Sequence, residues 1–278
     1  MFRPTAIVID AFVENVLETY DRLYPHPDPM HRQVLLQVAR MSLSRIARSN
    51  APYHDLDHTM VVTQVGQDIM RGKMVRDGLV DSLDWVHFVS SLLCFAIGFA
   101  RNLCPGDDGE TCIADEAGTT VVVPRTRSNG ALWPYFTDRG KVFVRHYFRD
   151  HPLLDPERLA ANIEYSRFPP LPDRNLDTDS DPGLLRAAHI IGAVADPDFM
   201  LKMKPLFIEL QEAGIAGQLG FNTTAEMTRG YGQLFWNVLH PLIGEGMDLL
   251  TFTAEGRVWL ANLHAHVLRA ELPADAAQ

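Results

Sequence analysis

The sequence has few basic residues for its length. Its 278 residues include 25 Lys and Arg against 35 Asp and Glu, which gives a formal net charge of -10. Proteins that bind nucleic acid or anionic membranes without sequence preference need a basic face. The charge balance therefore predicts that neither nucleic acid nor a membrane is a partner. Arg139, Lys141, Arg145 and Arg149 recur at helical intervals, and we interpret them as a solvated helix face.

Cysteine is also scarce. The three cysteines, Cys94, Cys104 and Cys112, cannot all pair within one chain. Cys104 and Cys112 lack the spacing of a zinc knuckle, and Cys94 stands in an apolar run where a thiol serves as a small hydrophobic side chain. These features predict a reducing compartment, and we expect a cytoplasmic protein.

Long hydrophobic runs are nearly missing. The longest, Trp85 to Ala100, covers about sixteen residues and includes His87, whereas a membrane-spanning helix needs about 20 residues. The N-terminal 23 residues carry acidic side chains at four-residue spacing between apolar ones, unlike a signal peptide. We therefore predict a buried core helix at Trp85 to Ala100 and no membrane span.

Alternating strand patterns are rare, and apolar residues recur at helical spacing along most of the chain. The sequence predicts an all-α fold in a single domain over residues 1–278. Two segments interrupt the helices: residues 104–134, where Thr119 to Val123 predicts a small β-like flap, and residues 168–182, a surface crossover rich in Pro and Asp. Helices are predicted over residues 5–23, 30–49, 54–73, 82–101, 137–150, 155–166, 183–196, 198–213, 224–248 and 253–270. Ser82 is expected to cap the fourth helix, and Thr223 with Glu226 to form a capping box on the ninth.

Two histidines stand four residues apart at a predicted helix start. If His54 and His58 both lie in that helix, their imidazoles project from one face about one turn apart. That spacing suits metal ligation, but it also occurs in pairs of surface or core histidines. The pair alone leaves both interpretations open.

The segment around these histidines resembles a known family. Tyr53 to Thr59 and Val61 to Val65 are similar to the Y-H-N-x-x-H-x-x-x-V segment of the HD-domain superfamily, which includes metal-dependent phosphohydrolases. The likeness runs from about residue 30 to 270 and includes residues 138–141, 163–169 and 183–197. The resemblance implies an HD-domain helical bundle.

The sequence departs from that family where the family binds metal. The family's Leu-Cys-His-Asp-Ile-Gly segment, whose His and Asp are ligands, is replaced by residues 93–98 with Phe95 and Ala96 at the ligand positions. The family's Ala-Ala-Asp becomes Ala-Ala followed by His189. A two-metal hydrolase needs bridging carboxylates to hold its ions about 3.5 to 4 Å apart. We therefore expect that the usual dinuclear site is lost.

Three histidines remain at positions that matter in the family. The resemblance implies that His58 is a metal ligand and that His54 is the proton donor of the phosphodiesterase branch, and His189 replaces a liganding Asp. Three imidazoles can bind one divalent transition metal such as Zn, Fe or Mn. The neighbouring Asp55 and Asp57 either orient a histidine ring or stabilise the start of the helix.

Two further sets of residues allow alternative interpretations. Phe95 and Ala96 either form the wall of a ligand pocket or fill the space that the metals left. Arg139, Lys141 and Arg167 either bind an anionic group or form structural ion pairs, for example with Glu164.

The sequence leaves two functions open. The favoured hypothesis is a pseudoenzyme, a degenerate HD-domain relative that binds a small-molecule ligand without hydrolysing phosphate esters. The alternative is an active hydrolase, metal-dependent and similar to phosphohydrolases, that uses the three histidines as a mononuclear metal-binding site. The oligomeric state does not follow from the sequence.

Overall fold

The computed structural model describes residues 3–170 and 177–271, and these residues form an all-α fold with one small hairpin, as predicted. The predicted crossover at residues 168–182 lies partly outside the described residues, which omit 171–176. The helices are α1 Pro4–Leu23, α2 Pro29–Ile46, α3 Leu56–Asp77, α4 Ser82–Cys94, α5 Phe136–Tyr147, α6 Pro156–Glu164, α7 Asp181–Val194, α8 Phe199–Glu212, α9 Thr224–Leu234, α10 His240–Leu250 and α11 Ala254–Glu271.

The predicted flap is confirmed as an antiparallel hairpin. Strands β1 (Thr111–Ile113) and β2 (Thr120–Val122) pair with Cys112 opposite Val121. The carboxylate of Asp107 accepts hydrogen bonds from the backbone N–H groups of Leu103 and Ile113, at 2.8 Å each. These bonds attach the hairpin to the segment that follows α4.

The centre of the fold is formed by α3 and α7, which pack against each other and against α10. Close approach depends on Gly192 of α7, where an added Cβ would lie 2.8 Å from Cγ2 of Val62 and 3.0 Å from its Cα. Because α3 carries His58 and α7 carries His189, this approach brings two of the three histidines together.

The helix predicted over residues 82–101 is shorter than expected, because α4 ends at Cys94 and a 3-10 turn, Ile97–Phe99, follows. At Gly98 the turn touches α5 so closely that a Cβ would lie 1.9 Å from the carbonyl oxygen of Phe136. The predicted Ser82 cap is wrong: Asp81 caps α4 by accepting from the Leu83 N–H at 2.8 Å. An aspartate one residue earlier is the better placed acceptor.

One helical stretch is apolar and long enough to cross a membrane by composition. It runs from Ser82 to Phe99, with 18 residues and a mean hydropathy of 1.5, and 83% of it is buried inside the protein. A core helix passes the same test, and the burial agrees with the predicted core helix.

The helix predicted over residues 224–248 is divided in the structure. A π-helical turn, Phe235–Leu239, separates α9 from α10. Pro241 lies in the first turn of α10 and has no N–H to donate, which accounts for the local change of hydrogen bonding. The capping box is confirmed in part: Thr223 accepts from the Glu226 N–H at 3.1 Å, but the Glu226 carboxylate accepts from the N–H of Asn222 instead of Thr223.

Candidate functional site

The three histidines converge from two helices and one turn. The expectation that His54 lies within the helix is wrong, because α3 begins at Leu56 and Asp55 is its N-cap. The Asp55 carboxylate accepts from the His58 N–H at 2.9 Å. This cap fixes His58 in the first turn of α3 and leaves His54 in the preceding turn, where its ring reaches His189 of α7.

The cluster is compact and buried. Each histidine offers one ring nitrogen, and these three atoms lie within 4.8 Å of one another. The exposed fractions of His54, His58 and His189 are 1%, 0% and 7%. Nε2 of His54 lies 3.3 Å from Nε2 of His189. In a tetrahedral site with metal–nitrogen bonds of 2.0–2.1 Å, two nitrogen ligands lie about 3.3 Å apart. The observed distance between the two Nε2 atoms therefore suits an ion bound by both.

His58 is the least satisfied polar side chain of the cluster. Neither Nδ1 nor Nε2 has a hydrogen-bond partner among the described residues, although both are buried. Burial, followed by the neighbouring His54 and His189, lowers the pKa of His58 well below its usual value. Burial and His54 lower the pKa of His189 to about 3. Both rings are therefore neutral at pH 7 and keep a lone pair.

Glu209 of α8 completes the cluster, and the sequence analysis missed it. Its carboxylate is fully buried, and Oε1 lies 2.5 Å from Nδ1 of His54. The other oxygen, Oε2, accepts hydrogen bonds from the backbone N–H groups of Tyr53 at 2.8 Å and of His54 at 3.1 Å. A carboxylate acceptor places the ring proton of His54 on Nδ1, so the lone pair lies on Nε2, facing His189. An acidic residue within the apolar segment Phe207 to Leu210 is the sequence signal that could have identified it.

Aromatic rings hold the histidines in place. His54 stacks on Phe99 with ring centroids 4.5 Å apart and meets the edge of Trp133 at 4.6 Å. Phe95 lies 4.8 Å from His189 and 5.9 Å from His58. These rings surround the cluster with apolar side chains, so an ion there would be bound in a site of low polarity.

An apolar cavity of about 90 Å³ opens beside His54 and His189. Among the described residues that line it there is no Lys, Arg, Asp or Glu. Its wall comes from α7, α8, α9 and the flanking segments: Tyr53, His54, Trp133, Phe168, His189, Ile190, Ala193, Val194, Phe199, Met203, Leu206, Leu210, Leu219, Met227, Tyr231, Leu234 and Leu239. The predicted pocket wall at Phe95 and Ala96 does not belong to this cavity; both residues are fully buried in the core.

The two aspartates next to the histidines do not orient a ring. Asp55 caps α3, and Asp57 forms an ion pair with Lys202, which also binds Asp196 at 2.6 Å. The sequence allowed two roles for these aspartates, orienting a histidine ring or stabilising the start of the helix. Asp55 has the second role.

The three cationic candidates contact protein oxygens. Arg139 is fully buried, and its guanidinium donates to the Asp107 carboxylate and to the carbonyl oxygens of Gly98, Ala100 and Ile113. This arrangement ties the hairpin to the core.

Lys141 and Arg167 share Glu164, at 2.7 Å and 2.8 Å, and both also pair with Asp138 at 2.8 Å. Burial opposes ionisation of Glu164, yet its bonds to Arg167 and Lys141 lower its pKa to about 2. The structural ion pairs that we considered as the alternative are present, and none of these three cations lines the apolar cavity.

Comparison with known proteins gives one match over nearly the whole chain. A protein-family model described as Npun_R2479-like matches residues 2–272. No curated protein and no solved structure matches the chain. With the family model covering both the histidine cluster and the apolar cavity, the chain belongs to the Npun_R2479-like family.

Proposed function

We propose that this protein binds one transition-metal ion through His54, His58 and His189 and holds a small, mostly apolar molecule in the cavity beside that ion. In this proposal the chain is a degenerate relative of the HD-domain phosphohydrolases, in which a mononuclear centre replaces the dinuclear one. The all-α fold is compatible with this relationship, the separation of the histidine nitrogens with the metal site, and the apolar cavity with the bound molecule.

The observation that carries the proposal is the unpartnered imidazole of His58. A buried ring with two unpaired nitrogens costs free energy unless something binds them. The ring belongs to the only group of three metal-binding side chains found among residues 3–170 and 177–271. A metal ion would take up the lone pair of His58 together with those of His54 and His189.

Glu209 supports the same assignment. Histidines that bind metals commonly donate their other N–H to a carboxylate, which fixes the tautomer and makes the ring a better ligand. The 2.5 Å contact between Glu209 and His54 Nδ1 has this form. The three histidines would hold such an ion, and the ion would supply a Lewis acid beside the cavity.

The composition of the cavity favours ligand binding over phosphate-ester hydrolysis. A phosphate group needs Arg, Lys or a second metal to balance its charge, and the described residues that line the cavity include no cationic side chain. We therefore propose a non-hydrolytic role.

A cytoplasmic location is part of this proposal. The three cysteines are unpaired and buried, which is typical of proteins kept in a reducing compartment.

The metal content of the purified protein tests the proposal. Protein prepared without chelator, or reconstituted with Zn²⁺ or Co²⁺, is expected to contain about one equivalent of metal by elemental analysis. The Co²⁺ form should show the visible absorption of a tetrahedral ion with nitrogen ligands.

Two variants provide the matched comparison. His58→Phe, which keeps an aromatic ring in the core but removes the nitrogens, should lose the metal, whereas the exposed His264→Phe should retain it. Wild-type protein that stays below one tenth of an equivalent after reconstitution contradicts the proposal, whatever the variants do.

A further inference from the structure

A second concave surface lies outside the histidine cluster. It is a groove of about 1400 Å³ between the end of α2, the turn at residues 100–103, the loop at residues 124–129 and the end of α5. Six arginines line it, and no Asp or Glu does so among the described residues. They are Arg40, Arg45, Arg48, Arg101, Arg125 and Arg127.

This concentration of positive charge is unusual for the chain. Six of its 25 basic residues line one groove in a protein of net charge -10. Like charges placed together repel one another, and no carboxylate among the described residues lines the groove, so these arginines point to a negatively charged ligand.

The arginines differ in their partners. Arg101 is structural, since its guanidinium donates to Asn129 Oδ1 and to backbone carbonyl oxygens of the 123–127 loop. Arg40 pairs with Asp10 at 3.1 Å, and Arg127 donates to the carbonyl oxygen of Glu212. These contacts hold the walls of the groove.

Two arginines retain all their donors. The guanidinium groups of Arg48 and Arg125 make no hydrogen bond or ion pair with the described residues. Both residues are exposed, and they line the groove from two different segments, the end of α2 and the loop at residues 124–129. Arg45 also lines the groove, and its guanidinium carbon lies 5.3 Å from the centroid of the Tyr147 ring. The Tyr147 residue is itself 50% exposed.

We propose that this groove binds a small molecule that carries two or more adjacent phosphate groups. Forked guanidinium donors match phosphate oxygens in pairs, and two arginines with unpaired guanidinium groups offer enough donors for more than one phosphate. The groove has the volume for a nucleotide-sized ligand. Phe143 stacks on the Tyr147 ring, and the half of Tyr147 that is exposed offers an aromatic contact for a base. The overall charge of -10 disfavours a long nucleic acid, whose phosphates would also meet the acidic remainder of the surface.

Calorimetric titration at low salt and without divalent metal tests this site. Tripolyphosphate and ATP are the probes. Removing the free guanidinium in Arg48→Gln or Arg125→Gln is expected to weaken tripolyphosphate binding about tenfold or more, because each substitution removes charge-assisted hydrogen bonds. The exposed Arg269→Gln, which removes the same charge outside the groove, should change the affinity less than twofold.

The two probes distinguish the sources of the phosphates. Tighter binding of ATP than of tripolyphosphate, lost in Tyr147→Ala, supports a nucleotide; equal affinities support an inorganic or non-aromatic polyphosphate. Absence of binding by both probes, an equal loss in Arg269→Gln, or tighter binding of a single-stranded oligonucleotide overturns the proposal. The site does not depend on the metal centre, and the arginine variants should keep the metal content of the wild type.

Discussion

The apolar cavity and the arginine groove are two concave surfaces with opposite chemistry. The cavity is lined almost wholly by apolar side chains and faces two histidines, whereas the groove is lined by six arginines. The difference assigns the two kinds of ligand group to different places. In our two proposals the anionic group binds in the groove, and the uncharged apolar group binds in the cavity.

The two surfaces are joined by a short piece of chain. Phe99 stacks on His54 at the cavity side, and the next two residues, Ala100 and Arg101, line the groove. Among the described residues, no carboxylate lines either surface, but one lies close behind the cavity wall. Glu209 lies directly behind His54, and no carboxylate lines the groove among the described residues.

The largest expected effect comes from removing the carboxylate behind the cavity. Glu209→Ala leaves three buried donors without an acceptor: Nδ1 of His54 and the backbone N–H groups of Tyr53 and His54. The unfolding free energy should fall by about 3 kcal/mol or more, since three donors lose their acceptor and each buried unpaired donor costs on the order of 1–3 kcal/mol. Metal affinity should fall about 10–100-fold. Chemical denaturation and metal titration measure the two effects.

Two variants complete this experiment. Glu209→Gln keeps an oxygen acceptor but loses the charge, so it should lose less stability than Glu209→Ala and still weaken metal binding. Glu14→Ala, at an exposed glutamate of α1, should leave both quantities unchanged. If the metal affinity were unaltered in both Glu209→Gln and Glu209→Ala, Glu209 would have no role in metal binding.

Local sequence patterns were enough to predict much of the fold. Apolar spacing predicted helices close to the observed ones, and the β-branched residues Thr119 to Val123 predicted the hairpin. The predicted helix ends are wrong where tertiary contacts determine the end of a helix. α4 stops early because the chain turns at Gly98 to pack on Phe136, a contact that no local pattern encodes.

The same limit applies to the two sites. The histidines were identified because His54 and His58 are close in sequence and the family resemblance added His189. Glu209 lies 155 residues from His54 in the sequence, and only the packing of α8 brings them together. The groove arginines come from three separate segments, whereas Arg145 of the predicted basic helix face pairs with Glu157 at 2.7 Å.

A smaller effect is expected from filling the cavity. Ala193 of α7 lines the cavity, and Ala193→Phe places a ring in its volume. Binding of indole, an uncharged apolar probe, should weaken more than tenfold in calorimetric titration, while tripolyphosphate binding should stay within twofold. Overpacking is expected to cost about 1–3 kcal/mol of stability. Ala261→Phe adds the same ring at an exposed site of α11 and should leave both affinities unchanged. Equal indole affinity in wild type and Ala193→Phe means that the cavity does not bind the probe.

The smallest expected effect is a difference in salt dependence between the two surfaces. Raising the NaCl concentration from 50 to 500 mM should weaken tripolyphosphate binding several-fold, because Arg48 and Arg125 are exposed and their attraction to phosphate is screened. Indole binding should not weaken, since an uncharged molecule in an apolar cavity has no such attraction to lose. Titrating the same protein sample with both probes makes each probe the control for the other. If both affinities fell together, the salt would be acting on the fold as a whole, and the division of the two surfaces into one for anions and one for apolar groups would not hold.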